Sequence, residues 1–132
     1  MPTQTDTMPA PAIEGAIANP SNPRHFMVLR PIDRQIRVFA GDRLIADTMA
    51  AVRLIEVGKT IYDPLVYVPA TDLCQPLERI EKSTICPLKG EAAYFALEGE
   101  EISWAYPEPY DFAHALEGYH AFWPGKVRIE EG

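Results

Sequence analysis

The residues best suited to chemistry lie in one short segment, residues 84–90, with the sequence TICPLKG. This segment places the thiol of Cys86 three positions before the amine of Lys89. A nearby ammonium group favours the thiolate form of a cysteine, and the thiolate is the reactive nucleophile. The segment therefore suits a nucleophilic or redox-active cysteine. Free cysteines are also among the most commonly buried residues, so Cys86 as an inert core residue is the open alternative.

A second cluster is aromatic and centres on Trp104 and Tyr106, which share one face if their segment is a strand. Tyr67 and Tyr94 lie in other strand-like segments and could join them in space. Such rings can stack on a planar ligand or surround a cation. Aromatic side chains also build the cores of small β domains, so packing alone is the second interpretation.

Glu56 follows Val52 and Leu54 at the spacing of one strand face. A carboxylate on such an apolar face needs a cation or hydrogen-bond donors. Lys89 could supply the positive charge, and with Tyr67 the pair could carry out acid–base chemistry. An ordinary glutamate at the edge of a sheet is the alternative.

Motifs for metal, phosphate and serine-nucleophile chemistry are absent from the sequence. His25, His114 and His120 show no metal-ligand spacing among themselves or with the cysteines. There is neither a glycine-rich phosphate loop nor a Gly-x-Ser-x-Gly elbow. We therefore expect no metal and no cofactor.

The composition limits the partners and the compartment. The 132 residues carry a formal net charge of −7, which disfavours nucleic acids and anionic membrane surfaces. The first residues lack the pattern of a signal peptide, and no apolar run approaches a membrane span, so we expect a cytoplasmic protein. A Cys74–Cys86 bridge is geometrically conceivable, but nothing indicates secretion.

The pattern of short apolar runs and turn residues predicts a mostly β domain over residues 23–132, preceded by a flexible or surface-draped arm over residues 1–22. One turn of helix is expected within residues 13–18. Hairpin turns are expected at Gly41-Asp42 and at Gly99, with Pro124-Gly125 as the turn between the last two strands. A single short helix over residues 112–116 would be capped by Asp111.

The sequence resembles the domain of unknown function 427 family (DUF427) over about residues 22–129. The resemblance is carried by Glu56, Val66-Tyr67-Val68-Pro69, Thr84-x-Cys86-Pro87-x-Lys89-Gly90-x-Ala92-x-Tyr94, Trp104-x-Tyr106-Pro107-x-Pro109 and Gly118-Tyr119-x-Ala121-Phe122. It implies a β-tent fold like that of methionine-R-sulfoxide reductases and the Mss4 and cereblon ligand-binding domains. In such a fold two antiparallel sheets meet at an angle with a cleft between them. Some catalogues label the family nucleotidyltransferase, but this sequence has no phosphate loop or paired metal-binding acids to support that activity.

Three hypotheses follow. The first is a small-molecule binding protein whose cleft between the sheets is lined by aromatic residues. Its candidate ligand-binding residues, by the family pattern, are Glu56, Tyr67, Thr84, Cys86, Lys89, Tyr94, Trp104 and Tyr106. The second is a redox enzyme or transferase that uses Cys86, Lys89 and Glu56, and the third is a purely structural core. Exposed strand edges in a small β domain would also allow a homodimer.

Overall fold

The structure, a computed structural model, describes residues 13–132 and divides their strands between two antiparallel sheets. The strands are β1 Ile17–Asn19, β2 Asn22–Pro31, β3 Ile36–Ala40, β4 Arg43–Thr48, β5 Val52–Val57, β6 Leu65–Pro69, β7 Glu78–Cys86, β8 Gly90–Leu97, β9 Glu100–Ala105, β10 Tyr119–Phe122 and β11 Arg128–Glu131. The larger sheet has eight strands in the order β1-β2-β5-β6-β10-β9-β8-β7, and the smaller has three in the order β11-β3-β4. Short 3₁₀ turns lie at Ala70–Asp72 and Asp111–Leu116.

The local turn signals in the sequence are confirmed. β3 pairs with β4 across Gly41, and β8 pairs with β9 across Gly99. Both glycines have positive φ, as does Glu98 beside Gly99. Tight hairpin turns need such backbone angles, so the glycines hold the register of these strand pairs. The mostly β class with two antiparallel sheets is likewise confirmed, whereas the likeness to the Mss4 domain remains a prediction.

Alternation along the strands divides the apolar side chains between two cores. Tyr67 in β6 lies in a first cluster, on one face of the eight-stranded sheet. Its neighbours Val66 and Val68 lie in a second cluster together with Ile36 and Ile45 from the three-stranded sheet. The larger sheet therefore packs the smaller sheet against one face and builds a separate core on the other.

A β-bulge in β9 decides which residues reach each core. Phe95 of β8 pairs with Ser103, but the next residue, Ala96, pairs with Glu101, which leaves Ile102 as the extra residue. As a result Ile102 lies in the second cluster while Trp104, two positions later, lies in the first. Simple alternation would have placed both on one face.

Three local predictions need correction. Residues 13–16 form a turn, with the Ala16 amide donating to the Ile13 carbonyl at 3.1 Å, and the chain enters strand β1 at Ile17 rather than a helix. The expected helix near the C-terminus is a pair of 3₁₀ turns kinked at Ala113, and the residue at its N-cap is Tyr110. Asp111 therefore lies inside this segment and makes no side-chain cap.

The last two strands exist, but they do not form a hairpin. β10 lies in the larger sheet between β6 and β9, whereas β11 pairs with β3 in the smaller sheet. The Pro124-Gly125 turn thus carries the chain from one sheet to the other. The boundary between arm and domain stays a prediction, and residues 1–12 of the arm lie outside the described residues.

Candidate functional site

An ionic cluster lies on the face of the larger sheet that carries the first core. The Lys89 ammonium donates a hydrogen bond to Oε1 of Glu56, and Nε2 of His25 lies 2.8 Å from Oε2 of the same carboxylate. The side chains of Lys89, His25 and Glu56 are only 6%, 15% and 17% exposed. Three groups from separate parts of the chain are thus held together largely out of water.

The register of β2 against β5 explains how His25 reaches Glu56. Met27 pairs with Glu56, so both project from the same face, and His25 lies two residues before Met27 on that face. A Cβ built on Gly58, which follows β5, would come within 3.3 Å of the His25 imidazole and 3.2 Å of the Tyr62 ring. The missing side chain at Gly58 therefore makes room for the ring beside the carboxylate.

The thiol of Cys86 is the fourth member of this cluster. Its Sγ lies 3.8 Å from Lys89 Nζ, and the Lys89 amide donates to the Cys86 carbonyl at 3.2 Å. The turn that joins β7 to β8 therefore brings both side chains to one place, as the sequence spacing predicts. Cys86 is half-buried and Cys74 is exposed, and both are free thiols.

Gly90 fixes where this turn sits. It has φ of +119°, and a Cβ on it would come within 3.3 Å of Pro109 Cα and Tyr110 N. The Tyr110 amide also donates to the Lys89 carbonyl at 3.0 Å. The close backbone contact, which only glycine permits here, holds Lys89 so that its side chain points across the sheet.

The contact between Lys89 and Glu56 requires the large sheet to be strongly curled. Glu56 is in β5 and Lys89 is in the turn before β8, which are four positions apart in the strand order. Neighbouring strands are about 4.8 Å apart, so a flat sheet would separate them by roughly 19 Å, which exceeds the reach of a lysine. The ionic cluster and the first core therefore occupy the concave face of this sheet.

Hydrogen bonds keep the Glu56 carboxylate ionised. Burial acts to raise its pKa, but the hydrogen bonds from His25 and Lys89, together with their charges, outweigh burial and hold the pKa below its ordinary value of 4.5. Glu56 is therefore an anion at neutral pH and a permanent acceptor for its two neighbours.

Tyr67, Trp104 and Tyr106 form the buried floor of the concave face, with exposures of 1%, 8% and 7%. Burial raises the pKa of both tyrosines, although a hydrogen bond with Trp104 partly opposes this shift for Tyr67. Both phenols are therefore neutral at physiological pH and keep a proton to donate. Lys89 Nζ lies 5.9 Å from the centre of the Tyr106 ring, within cation–π range.

The other two predicted residues bind each other instead. Thr84 Oγ1 and the Tyr94 hydroxyl are 2.8 Å apart, and Lys82 lies 4.4 Å from the centre of the Tyr94 ring. The Tyr94 ring stacks on Trp123 at 6.4 Å. Tyr94 still belongs to the first core, but Thr84 makes no hydrogen bond to the ionic cluster within residues 13–132.

His25 is the member of the candidate site that the sequence did not indicate. Its partner Glu56 is 31 positions away, and the spacing among histidines and cysteines contains no trace of the contact. The available signal was strand pairing, because a register that pairs the segment of His25 with the segment of Glu56 places both side chains on one face.

The sequence predicts a site in a cleft between the two sheets, but the candidate residues pack on the other face of the larger sheet. The cluster that holds Tyr67, Trp104 and Tyr106 contains no described residue of β3, β4 or β11. Those strands pack on the opposite face of the larger sheet. The candidate site is therefore on the outer concave face, where the 3₁₀ turn Asp111–Leu116 covers part of it through Ala113 and Leu116.

The described residues contain neither a metal-binding group of side chains nor a helix that could span a membrane. Within residues 13–132, no group of three or more His, Cys, Asp or Glu side chains is arranged to hold a metal ion. In the same range no helix has the length and apolar character required to cross a bilayer.

Fold and site together define a small β protein with an ionic cluster on the concave face of its larger sheet. The family model described as a domain of unknown function (DUF427) matches residues 28–131. The chain therefore belongs to the DUF427 family, as its motifs indicate. No curated protein matches it.

Proposed function

We propose that this protein binds a small organic molecule at the ionic cluster formed by His25, Glu56, Cys86 and Lys89. The observation that carries the proposal is the meeting of these four groups on a concave face, with the three ionic side chains less than one-fifth exposed. Neutral phenols and an indole lie directly behind them. A few polar groups against an apolar, aromatic wall are typical of small-molecule sites.

The energetics of the ion pair support binding over packing alone. Removing two charges from water costs several kcal/mol per ion, and replacing a buried pair by apolar residues is often neutral or stabilising. A buried carboxylate and ammonium group therefore stabilise a core less well than apolar side chains of the same volume. They become useful when a ligand has to be oriented by donors and acceptors of fixed position.

The test is a thermal-shift screen of metabolites, followed by affinity measurements for each hit on the parent and on His25→Gln. This variant removes a partly exposed group and leaves the Glu56–Lys89 pair intact. Affinity should fall about tenfold, the value of one lost hydrogen bond to a charged or polar ligand group. Arg34→Gln, an exposed position elsewhere, is the matched control and should leave affinity unchanged. Hits that bind the parent and His25→Gln equally well would contradict this location of the site.

A second candidate function, thiol chemistry at Cys86, is favoured by one specific contact. The Lys89 ammonium lies 3.8 Å from Cys86 Sγ, close enough to stabilise a thiolate. The alkylation rate of Cys86 by iodoacetamide, measured against exposed Cys74 in the same molecule, tests this role. Lys89→Met should slow Cys86 while Cys74 is unaffected. Equal rates in parent and variant would reject the activating role of the lysine.

A further inference from the structure

A groove of about 340 Å³ lies at the edge of the concave face and shares only Pro87 with the motifs discussed so far. Its lining comes from three separate segments and consists of Asn19, Pro20, Ser21, Pro87, Tyr110 and Phe112. It is an open groove rather than an enclosed cavity, so a ring would lie against its walls. Two prolines and two aromatic rings give it mainly apolar, flat walls.

The groove is built from restrained segments. The Ser21 amide donates to Asn19 Oδ1 at 2.9 Å, which fixes the turn between β1 and β2. On the opposite wall the Tyr110 amide is bound to the Lys89 carbonyl at 3.0 Å. The rings of Tyr110 and Phe112 are 5.5 Å apart and inclined by 28°, so they are nearly stacked. A wall of this kind exists before any ligand arrives, which lowers the entropic cost of binding.

The groove adjoins the ionic cluster. Pro87 in its lining directly follows Cys86, and the backbone of Tyr110 holds that of Lys89. Cys86 and Phe112 both pack, partly buried, against the first core. The half-buried thiol of Cys86 thus contacts the ammonium of Lys89 and is one residue from the groove wall at Pro87.

We infer that this groove binds a planar aromatic ring of a small molecule whose polar end is directed towards Cys86 and the ionic cluster. The inference rests on the proposed binding function and names the class of ligand. The groove is lined by uncharged residues and the chain has a net charge of −7, so the ring is neutral or cationic rather than anionic. Stacking on Tyr110 supplies the preference for a flat ring.

The thiol allows a direct test with two probes, 2-chloroacetamide and its N-phenyl derivative. In both reactions a bond forms between the cysteine sulfur and the CH₂ carbon, the carbon–chlorine bond breaks, chloride leaves and the thiol proton passes to solvent. Peptide mass spectrometry gives the labelling rate of Cys86 relative to exposed Cys74, which cancels the intrinsic reactivity of each reagent. The phenyl reagent should raise this ratio about tenfold, which corresponds to about 1.4 kcal/mol of ring binding.

Tyr110→Ala should remove most of this preference, whereas Tyr110→Phe should keep it. Phe39→Ala on the three-stranded sheet, outside the groove, is the aromatic control and should label like the parent. Folding of each variant is checked by its melting temperature. The inference is overturned if the phenyl reagent gives no preference in the parent, or if the preference survives in folded Tyr110→Ala. A loss of metabolite affinity in His25→Gln without any phenyl preference would reject the groove and leave the ionic binding site standing.

Discussion

At the scale of single residues, the ionic cluster depends on whether a few charged and polar groups find partners inside the protein in place of water. Lys89 is the most buried charged residue of the described chain, at 5% exposure, and its ammonium is shared between a carboxylate, a thiol and the face of an aromatic ring. No fully buried side-chain nitrogen or oxygen within residues 13–132 lacks a hydrogen-bond partner. Removing one member of the ionic cluster should therefore leave a largely buried group without its partner, which lowers stability.

Lys89→Met should lower the free energy of unfolding by about 2–3 kcal/mol, because it leaves Glu56 charged with only His25 as a partner. The double variant Lys89→Met/Glu56→Gln should be more stable than Lys89→Met, since the unpaired charge is then gone. Urea denaturation measures all three. Lys126→Met breaks the exposed pair between Lys126 and Glu100 and should change stability by no more than about 0.5 kcal/mol. Equal stabilities of Lys89→Met and the parent would mean that the Lys89–Glu56 pair does not stabilise the fold.

A second residue-scale prediction concerns His120, which is 8% exposed and bonded through Nδ1 to Ser103 Oγ at 2.9 Å. Burial lowers its pKa from 6.5 to about 4. Between these values the unfolded chain binds a proton that the folded chain does not, so stability falls as the pH drops, by up to roughly 3 kcal/mol. Unfolding free energies measured from pH 7 to pH 4.5 should show this loss in the parent and a flatter profile in His120→Gln. Parallel profiles would show that His120 is not the cause.

At the scale of elements, turns and bulges place the site residues more than strand propensity does. The β7–β8 turn carries two of the four cluster residues and is anchored by the backbone contact at Gly90. The bulge at Ile102 aims Trp104 at the concave face. In each case one or two residues with unusual backbone geometry determine the positions of the side chains that follow.

Gly90→Ala should therefore cost at least about 2 kcal/mol of stability, since the new Cβ combines a strained positive φ with contacts to rigid backbone atoms. Gly125→Ala is the matched control, because its Cβ would meet nothing within 4 Å. That variant should stay within about 0.5 kcal/mol of the parent. Thermal unfolding measures both, and an equal effect at the two positions would contradict the anchoring role of Gly90.

At the scale of the whole molecule, the curl of the eight-stranded sheet is the decisive feature. It allows β2 and β8, far apart in the strand order, to contribute to one core. It also creates the concave face on which charges can be largely withdrawn from water. The ends of this sheet remain its open edges, formed by β1 and β7.

Both edges have features that oppose pairing with another chain. β1 has only three residues, and β7 carries two extra residues between Arg79 and Ser83, where its register against β8 is broken. Short and bulged edges are poor templates for strand addition. We therefore expect a monomer in size-exclusion chromatography with light scattering. A mass that doubles with concentration would show that an edge does pair and would favour the homodimer.

The sequence by itself determined the local pieces of this protein. Its two hairpins around Gly41 and Gly99 depend on backbone angles that glycine sets within a few residues, and the proximity of Cys86 and Lys89 depends on one tight turn. Family motifs added the larger set of candidate site residues. All of these are properties of short stretches of chain, which a sequence exposes directly.

Only the tertiary structure decided which face holds the ionic cluster, that His25 joins it, and that β10 and β11 belong to different sheets. The reason is physical. The curl of a sheet and the register of distant strands follow from the summed packing of many side chains and from bulges such as the one at Ile102. A shift of one residue in strand register moves every later side chain to the opposite face of the sheet. The local pattern of apolar and polar residues does not show which register is adopted.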